Sequence, residues 1–390
     1  MSGKDRPLRL FLVAAETSGD LLGADLARAL KAQRPDIVLA GVGGEAMAEE
    51  GIVSPFDISD LSIIGLVEGL KILKIVKQRA EETGAAAEAF RPDAVVLIDS
   101  WGFMLRAAWR IRERLPDVPL IKYVGPQVFA TRAGRARVLA KATDHLLGIH
   151  PFDPDYFEPA GLPTTFVGNP ALERLKPGDG PAFRRRHGID PDVPVLLVLF
   201  GSRRTEIDRL YDRFAEAAAT VRARHPGMRL VTVIPGSVAE KVEALLQGDE
   251  RLSGIIAVRG GERADAFSAS DVALACSGTV TLELALCGVP TVTGYRLDWL
   301  SWAIARVLLM RSRYISLVNI AADEELILEY VQTRCTPGML ADGVETLLRD
   351  PARRAEISRR LVEQTREMRG EGGSPSDNAA AKVIEIAERV

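Results

Sequence analysis

The chain has 390 residues, of which 26% are charged and 47% hydrophobic, and its 50 Lys and Arg against 53 Asp and Glu give a formal charge of -3. That length exceeds what one hydrophobic core usually supports, so two domains are expected, and the near balance of charge excludes the basic footprint of a nucleic-acid binder. The cysteines Cys276, Cys287 and Cys335 form no CxxC pair and are odd in number, which argues against a zinc site or a disulfide framework and fits a reducing cytoplasm.

Lys4, Arg6 and Arg9 before the apolar run Leu10 to Ala15 have the layout of a secretory leader. The run is short and Glu16 and Asp20 follow at once, so a first buried strand is the better reading. No stretch reaches the ~20 apolar residues that span a bilayer. Leu8 to Ala14 reads as a strand, Glu16 to Asp20 as a turn, and a helix runs on through Leu30; Val38 to Gly41 is a second strand. Ala94 to Ile98 is a continuous apolar strand ending in Asp99-Ser100-Trp101, and Leu120 to Val124, Leu146 to Ile149 and Thr165 to Val167 complete a parallel sheet. Pro170 and the stretch Lys176 to Pro181 read as a linker.

A second set begins with Val195 to Phe200, followed by Gly201-Ser202-Arg203-Arg204 and a helix with Ile207, Leu210, Phe214, Ala218 and Val221 on one face. Leu230 to Ile234, Ile255 to Val258, Val272 to Ala275 and Thr291 to Val292 are its further strands. The expected architecture is α/β, two Rossmann-like doubly wound domains facing each other across a cleft. Their bounds are 1–172 and 182–375, with a last helix in 376–390 whose packing partner is open.

Within the second set, Val272 to Pro290 reads as strand, tight turn and helix, with Cys276-Ser277-Gly278-Thr279 at the turn. Ligands of open parallel sheets bind at the carboxyl ends of the strands, where turn N–H groups point outward. Ser277, Gly278 and Thr279 are therefore expected to hold a nucleotide, with Glu283 accepting from a ribose diol. The competing reading is that Ser277 and Thr279 cap the helix and Glu283 complements its dipole. No Walker-type loop and no GxGxxG after a strand are present, which disfavours ATP and NAD. His145 and His150 lack a third ligand at metal spacing and read as structural, while Asp153-Pro154-Asp155 and Asp190-Pro191-Asp192 read as turns. Ile63 to Arg79, apolar but edged by Lys71 and Lys74, has the composition of a membrane-interface helix or of a core helix with solvated lysines. Trp299 to Met310, with tryptophans near Arg296, Arg306 and Arg311, suits a membrane interface or a domain crevice.

Seven segments carry a resemblance: AAETSGD (Ala14 to Asp20), IDSWGF (Ile98 to Phe103), YVGPQVFATR (Tyr123 to Arg132), FVGNP (Phe166 to Pro170), GSRRTEI (Gly201 to Ile207), SGTVTLELALCGVP (Ser277 to Pro290) and VNIAADEELILEYVQ (Val318 to Gln332). In that order they resemble the lipid-A-disaccharide synthase family, collinear over nearly the whole chain. The resemblance implies a GT-B type glycosyltransferase without a metal or other cofactor. Its substrates would be UDP-2,3-diacylglucosamine and 2,3-diacylglucosamine 1-phosphate, joined by a β-1,6 bond with release of UDP at the inner face of the cytoplasmic membrane. The chain departs from the family where Val128-Phe129-Ala130-Thr131 replaces a Trp-Ala-Trp run, where Phe200 replaces proline before Gly201, and where Leu328 replaces a common proline.

Sugar transfer from UDP needs a base for the attacking hydroxyl and charge stabilisation on the leaving diphosphate. Asp99, ending an apolar strand, is the expected base and Glu16 its rival, with Asp20 orienting the loop. Gly201, Ser202 and Arg203 are expected to converge on the diphosphate through backbone N–H groups, a hydroxyl and a guanidinium. Asn319 and Gln332 are expected to contact nucleotide or donor, and Glu329, at helical spacing from Gln332, reads equally as a solvated face. A UDP-sugar epimerase of the same fold and a non-catalytic lipid or nucleotide-sugar carrier remain as alternatives. Exchange of the helical tail between two copies would make a homodimer.

Overall fold

The computed structural model describes residues 6–61, 69–129, 134–173, 175–297 and 312–389. The chain forms two compact units, one built from residues up to Pro170 together with those from Met368 onward, the other from Ala171–Glu367.

In the first unit β1 (Arg9–Val13), β2 (Val38–Val42), β3 (Ala94–Ile98), β4 (Leu120–Tyr123), β5 (His145–Gly148) and β6 (Thr164–Phe166) make a sheet in the order β2-β1-β3-β4-β5-β6. Every pairing is parallel. Side chains alternate between faces along a strand, so a sheet covered on both sides needs apolar residues throughout. Accordingly Leu10, Leu12, Val96 and Ile98 pack with Leu26 and Leu30, whereas Phe11, Val13, Val95 and Leu97 pack with Phe103, Ala107 and Ile111.

The last helix, Pro375–Ala387, returns to this unit. It buries Ala379, Ala380 and Val383 in the cluster that contains Leu26 and Leu30, and Gln33 donates to the Asp377 carbonyl across 2.8 Å. Ser374 starts it by accepting from the Asp377 N–H at 3.2 Å, a capping arrangement that stops the chain from fraying there.

The second unit holds β7 (Val195–Leu199), β8 (Arg229–Val233), β9 (Ile256–Val258), β10 (Val272–Cys276), β11 (Thr291–Tyr295) and β12 (Leu328–Val331) in the parallel order β12-β11-β10-β7-β8-β9. The helix Arg204–Arg224 buries Ile207, Leu210, Phe214, Ala218 and Val221 against it, the face its periodicity predicts. Two readings need correction. Residues 176–181 are not a free linker: the Gly178 N–H donates to Ser268 Oγ at 3.0 Å and the Asp179 N–H to Asp265 at 2.8 Å, which ties them to the second unit. Glu329 is in edge strand β12 rather than on a solvated helix face, and it is buried.

Both sheets reverse their direction of strand addition once. β1 lies between β2 and β3, and β7 lies between β8 and β10. Val13 is in register with Leu97, and Leu199 with Ala275, so the turns that follow each pair emerge side by side. Crevices at such reversal points are where doubly wound sheets bind ligands.

Asp20, on the helix after β1, fixes the neighbouring turn after β2. Buried at 5% exposure, it accepts from the N–H groups of Gly44 (2.7 Å), Ala46 (2.9 Å) and Met47 (3.1 Å), capping the helix Glu45–Glu49. Asp20→Ala leaves those donors without an acceptor and should destabilise the first unit by about 1–3 kcal/mol. Urea unfolding followed by circular dichroism measures it, and an unchanged midpoint would show that water replaces the carboxylate.

Candidate active site

At the reversal point of the first unit Asp99 (φ 51°), Ser100 (φ 36°) and, after β4, Val124 (φ 68°) adopt left-handed backbone. Such conformations cost non-glycine residues energy and persist only where the surroundings enforce them. Lys122, a lysine in β4 only 2% exposed, is a large part of the enforcement: its Nζ donates to the carbonyls of Leu97 (3.3 Å), Tyr123 (3.4 Å) and Asp99. Asp99 in turn accepts from Ser18 Oγ at 3.0 Å, which joins the β3 turn to the β1 turn. Glu16 is exposed at the start of the helix Thr17–Gln33 and its side chain does not cap that helix. Burial pushes the Lys122 ammonium down to about 7, opposed by the charges of Asp99 and Glu16. One buried cation thus feels both candidate bases. A cavity of about 310 Å³ opens over this ground, lined by Asp99, Trp101, Lys122, Gln127, Arg135 and His150 among others.

At the reversal point of the second unit a cavity of about 270 Å³ is lined by Gly201, Ser202 and Arg203 from the turn after β7 and by Ser277, Gly278 and Thr279 from the turn after β10. Six of the nine binding residues expected from sequence therefore share one wall. Thr279, the N-cap residue of the following helix Val280–Leu286, makes no side-chain cap bond. That removes the competing structural reading of Thr279. Gly201 has φ 118°, and a Cβ there would approach the Glu206 side chain to 2.8 Å, so glycine is required. Cys276 also lines the cavity, but burial pushes its thiol up to about 12, which leaves it inert as a nucleophile.

Several of the expected residues are engaged with protein partners. The N–H groups of Ser202 and Arg203 both donate to Glu206 Oε2, at 2.9 and 3.2 Å, so an anion reaches them only where that carboxylate gives way. Arg203 itself is 79% exposed in its side chain and its guanidinium is 3.2 Å from Glu206. Glu283 is gripped by Arg263 in a two-pronged ion pair, Nε to Oε2 at 2.8 Å and Nη2 to Oε1 at 2.6 Å, and Arg263 is the member of that pair that lines the cavity. Asn319 is fully buried, donating to Ile327 O (2.7 Å) and Glu329 Oε1 (2.9 Å) and accepting from the Ile327 N–H (2.8 Å). Gln332, at 8% exposure, bonds the Leu297 N–H and carbonyl at 2.7 and 3.3 Å. These two amides hold the segment around β12 together.

Sequence reading did not single out Lys122, Glu206 or Arg263. A lysine inside the apolar strand LIKY was a visible signal, and Glu206 three residues after Arg203 was another. Arg263 and Glu283 are distant in sequence and only folding pairs them. The helix reading for 63–79 falls partly, and that for 299–310 wholly, outside the described residues. Among the described residues no helix is long and apolar enough to cross a membrane, and no group of His, Cys, Asp and Glu is placed to hold a metal.

Two parallel sheets, each with a ligand crevice at its reversal point, define a two-domain fold of the GT-B class. Solved structures share it over nearly the whole chain. A UDP-N-acetylglucosamine 2-epimerase from Listeria monocytogenes matches with a TM-score of 0.62 at 15% identity, covering 98% of this chain and 96% of that one. The glycotransferase of kitacinnamycin matches with a TM-score of 0.62 at 18% identity, covering 98% and 100%. Identity this low speaks for fold alone. The family model Lipid-A-disaccharide synthetase matches residues 10–384, and a lipid-A-disaccharide synthase of Rhodospirillum centenum is 44% identical over 97% of this chain and 94% of its own length. The chain belongs to the lipid-A-disaccharide synthetase family and is a glycosyltransferase of lipid A biosynthesis.

The buried lysine makes a pH prediction. Folding lowers the Lys122 pKa from 10.5 to about 7, so between those values the unfolded chain binds the proton more tightly. Charged Lys122 costs stability below about pH 7, and the cost is relieved as pH rises from about 7 toward 10.5. Lys122→Met should flatten this rise when urea unfolding is repeated across that range; equal slopes in both proteins would assign the titration elsewhere.

Proposed function

We propose that this enzyme joins UDP-2,3-diacylglucosamine to 2,3-diacylglucosamine 1-phosphate through a β-1,6 bond and releases UDP, in a single displacement that inverts the anomeric carbon. The observation that carries the reading is the pair of turns at each reversal point: a carboxylate turn in the first unit and a hydroxyl-rich, arginine-bearing turn in the second, in a chain of this family. Asp99 takes the proton of the attacking hydroxyl, with Glu16 close enough to share the field of Lys122. The diphosphate is met by the Arg203 guanidinium and by the hydroxyls and N–H groups of Ser202, Ser277, Gly278 and Thr279. Glu206 yields as the diphosphate enters, because two anions cannot share those donors. Glu283, oriented by Arg263, still has lone pairs for a ribose diol. Transfer requires the two sites to meet during turnover, as hinge closure would achieve.

Acylated substrates place the enzyme at the inner face of the cytoplasmic membrane, held peripherally. Ile75 supports this: it is 39% exposed between the exposed Lys74 and Lys77 on the helix Gly69–Phe90. An apolar side chain flanked by lysines suits anionic headgroups.

UDP release measured with both acylated sugars, each omitted in turn and the product identified by mass, tests the reaction. Release without acceptor, or a new sugar isomer from UDP-N-acetylglucosamine alone, would overturn it. Asp99→Asn should lower kcat by about a hundredfold or more while UDP binds within twofold of wild type. Arg203→Ala should weaken UDP by about tenfold or more in calorimetry, and unchanged affinity would remove Arg203 from the diphosphate.

A further inference from the structure

We infer that His150 is an acceptor-binding residue, hydrogen-bonding a hydroxyl of the sugar that occupies the Asp99 cavity. This rests on the reading of the first unit as the acceptor side and assigns that side a recognition residue.

Four histidines occur in the chain, and three have a polar partner. His145 Nε2 meets Thr165 Oγ1 at 2.9 Å, His187 Nε2 meets Glu262 at 3.3 Å and His225 Nε2 meets Glu345 at 3.1 Å. His150 differs. It is 5% exposed, it lines the cavity that Asp99 lines, and its Nδ1 is buried with no hydrogen-bond partner among the described residues. Buried polar atoms are nearly always satisfied, and an exception calls for a missing partner. Nδ1 is sealed as the ring stands, so the nitrogen that a ligand in the cavity can meet is Nε2, which is not sealed in this way and has no hydrogen-bond partner among the described residues.

The ring is held in place without using either nitrogen. It stacks on Phe152, with centroids 5.1 Å apart and planes 9° apart, and Phe129 meets it edge-on at 5.4 Å. The backbone is fixed as well, since the His150 N–H donates to the buried Asp153 carboxylate at 3.0 Å. A side chain locked by aromatic packing, with its polar edge unspent, is what a preorganised binding group requires. Burial lowers the imidazole to about 4, so at neutral pH it offers one donor and one acceptor. That complement matches a hydroxyl, which is both, better than an anion. On the same wall Arg135 lies over the Trp101 ring at 4.9 Å and supplies positive charge, which suits a sugar that also bears phosphate. Phe129 stands in the segment where the chain departs from its family's aromatic run, and its packing on His150 gives that departure a role.

The test compares wild type with His150→Phe, which keeps the stack on Phe152, and His150→Gln, which restores a hydrogen-bonding amide. Initial rates are measured with 2,3-diacylglucosamine 1-phosphate varied at saturating donor and the reverse, and direct binding of that acceptor in mixed micelles is followed by calorimetry. The Phe variant should raise the acceptor KM and Kd by about tenfold with donor KM and UDP affinity within twofold, and Gln should recover part of the loss. Acceptor affinity unchanged in His150→Phe, equal losses for both substrates, or no recovery with Gln would overturn the assignment. Failure of the wild type to release UDP while it still binds the acceptor through His150 would count against the reaction and not against this residue.

Discussion

Each sheet of this protein is all parallel, and in each the chain adds strands to one side, then returns to the other. At that return two strands lie side by side while their helices leave to opposite faces, so no helix covers the ends between them. The constraint is topological and local at once. It sets Val13 beside Leu97 and Leu199 beside Ala275, and whatever follows those residues must stand at the mouth of a crevice. Asp99, Ser18, Arg203 and Ser277 are functional candidates because of where their strands sit.

Keeping those turns in useful shapes takes buried polar groups, which cost stability by themselves. In the first unit an ammonium under the sheet edge gathers three carbonyls, and the backbone of Asp99 and Ser100 stays left-handed above it. In the second unit Glu206 gathers two N–H groups and lets the chain pass Gly201 into the helix Arg204–Arg224. The two devices have opposite charge and the same logic: an internal ion substitutes for solvent at a strand end. They differ in what a ligand would do to them. A diphosphate would compete with Glu206 for the same donors, whereas Lys122, which lines the cavity over Asp99, would keep its backbone carbonyls beneath a sugar.

Much of this was legible in the residues. Apolar runs bounded by turn residues marked the strands, since a strand buried on both faces has few polar positions, and β3 is apolar from Ala94 to Ile98. The crevice turns were legible for the same reason, as small and polar residues placed right after such runs. β12 was not, because LEYV on a sheet edge alternates weakly and sits in a segment whose spacing also fits a helix. Asn319 and Gln332 show a limit of sequence: an amide that closes a loop and an amide that reads a ligand look alike there, and only the folded chain shows that these two bond neighbouring backbone groups. The lack of metal partners makes His150 look structural in sequence, and its missing hydrogen bond is visible only in three dimensions.

Fold alone would not have settled the chemistry, since an epimerase and a glycosyltransferase overlay on this chain equally well. A nucleotide crevice of hydroxyls, one arginine and a tight glycine turn serves any reaction that begins from a nucleotide sugar. What distinguishes transfer to a second sugar is a place for that sugar next to a group able to take its proton. The cavity over Asp99 has volume for a pyranose ring, a carboxylate braced by Ser18, and an imidazole held by Phe129 and Phe152 with a nitrogen to spare. An epimerase has no second substrate to seat, so a preorganised pocket of that kind would bring it no rate, while a transferase gains from it the positioning of the attacking oxygen. On the proposed reading, the distinction between the two chemistries would reside in the first unit, in side chains that the nucleotide need not touch.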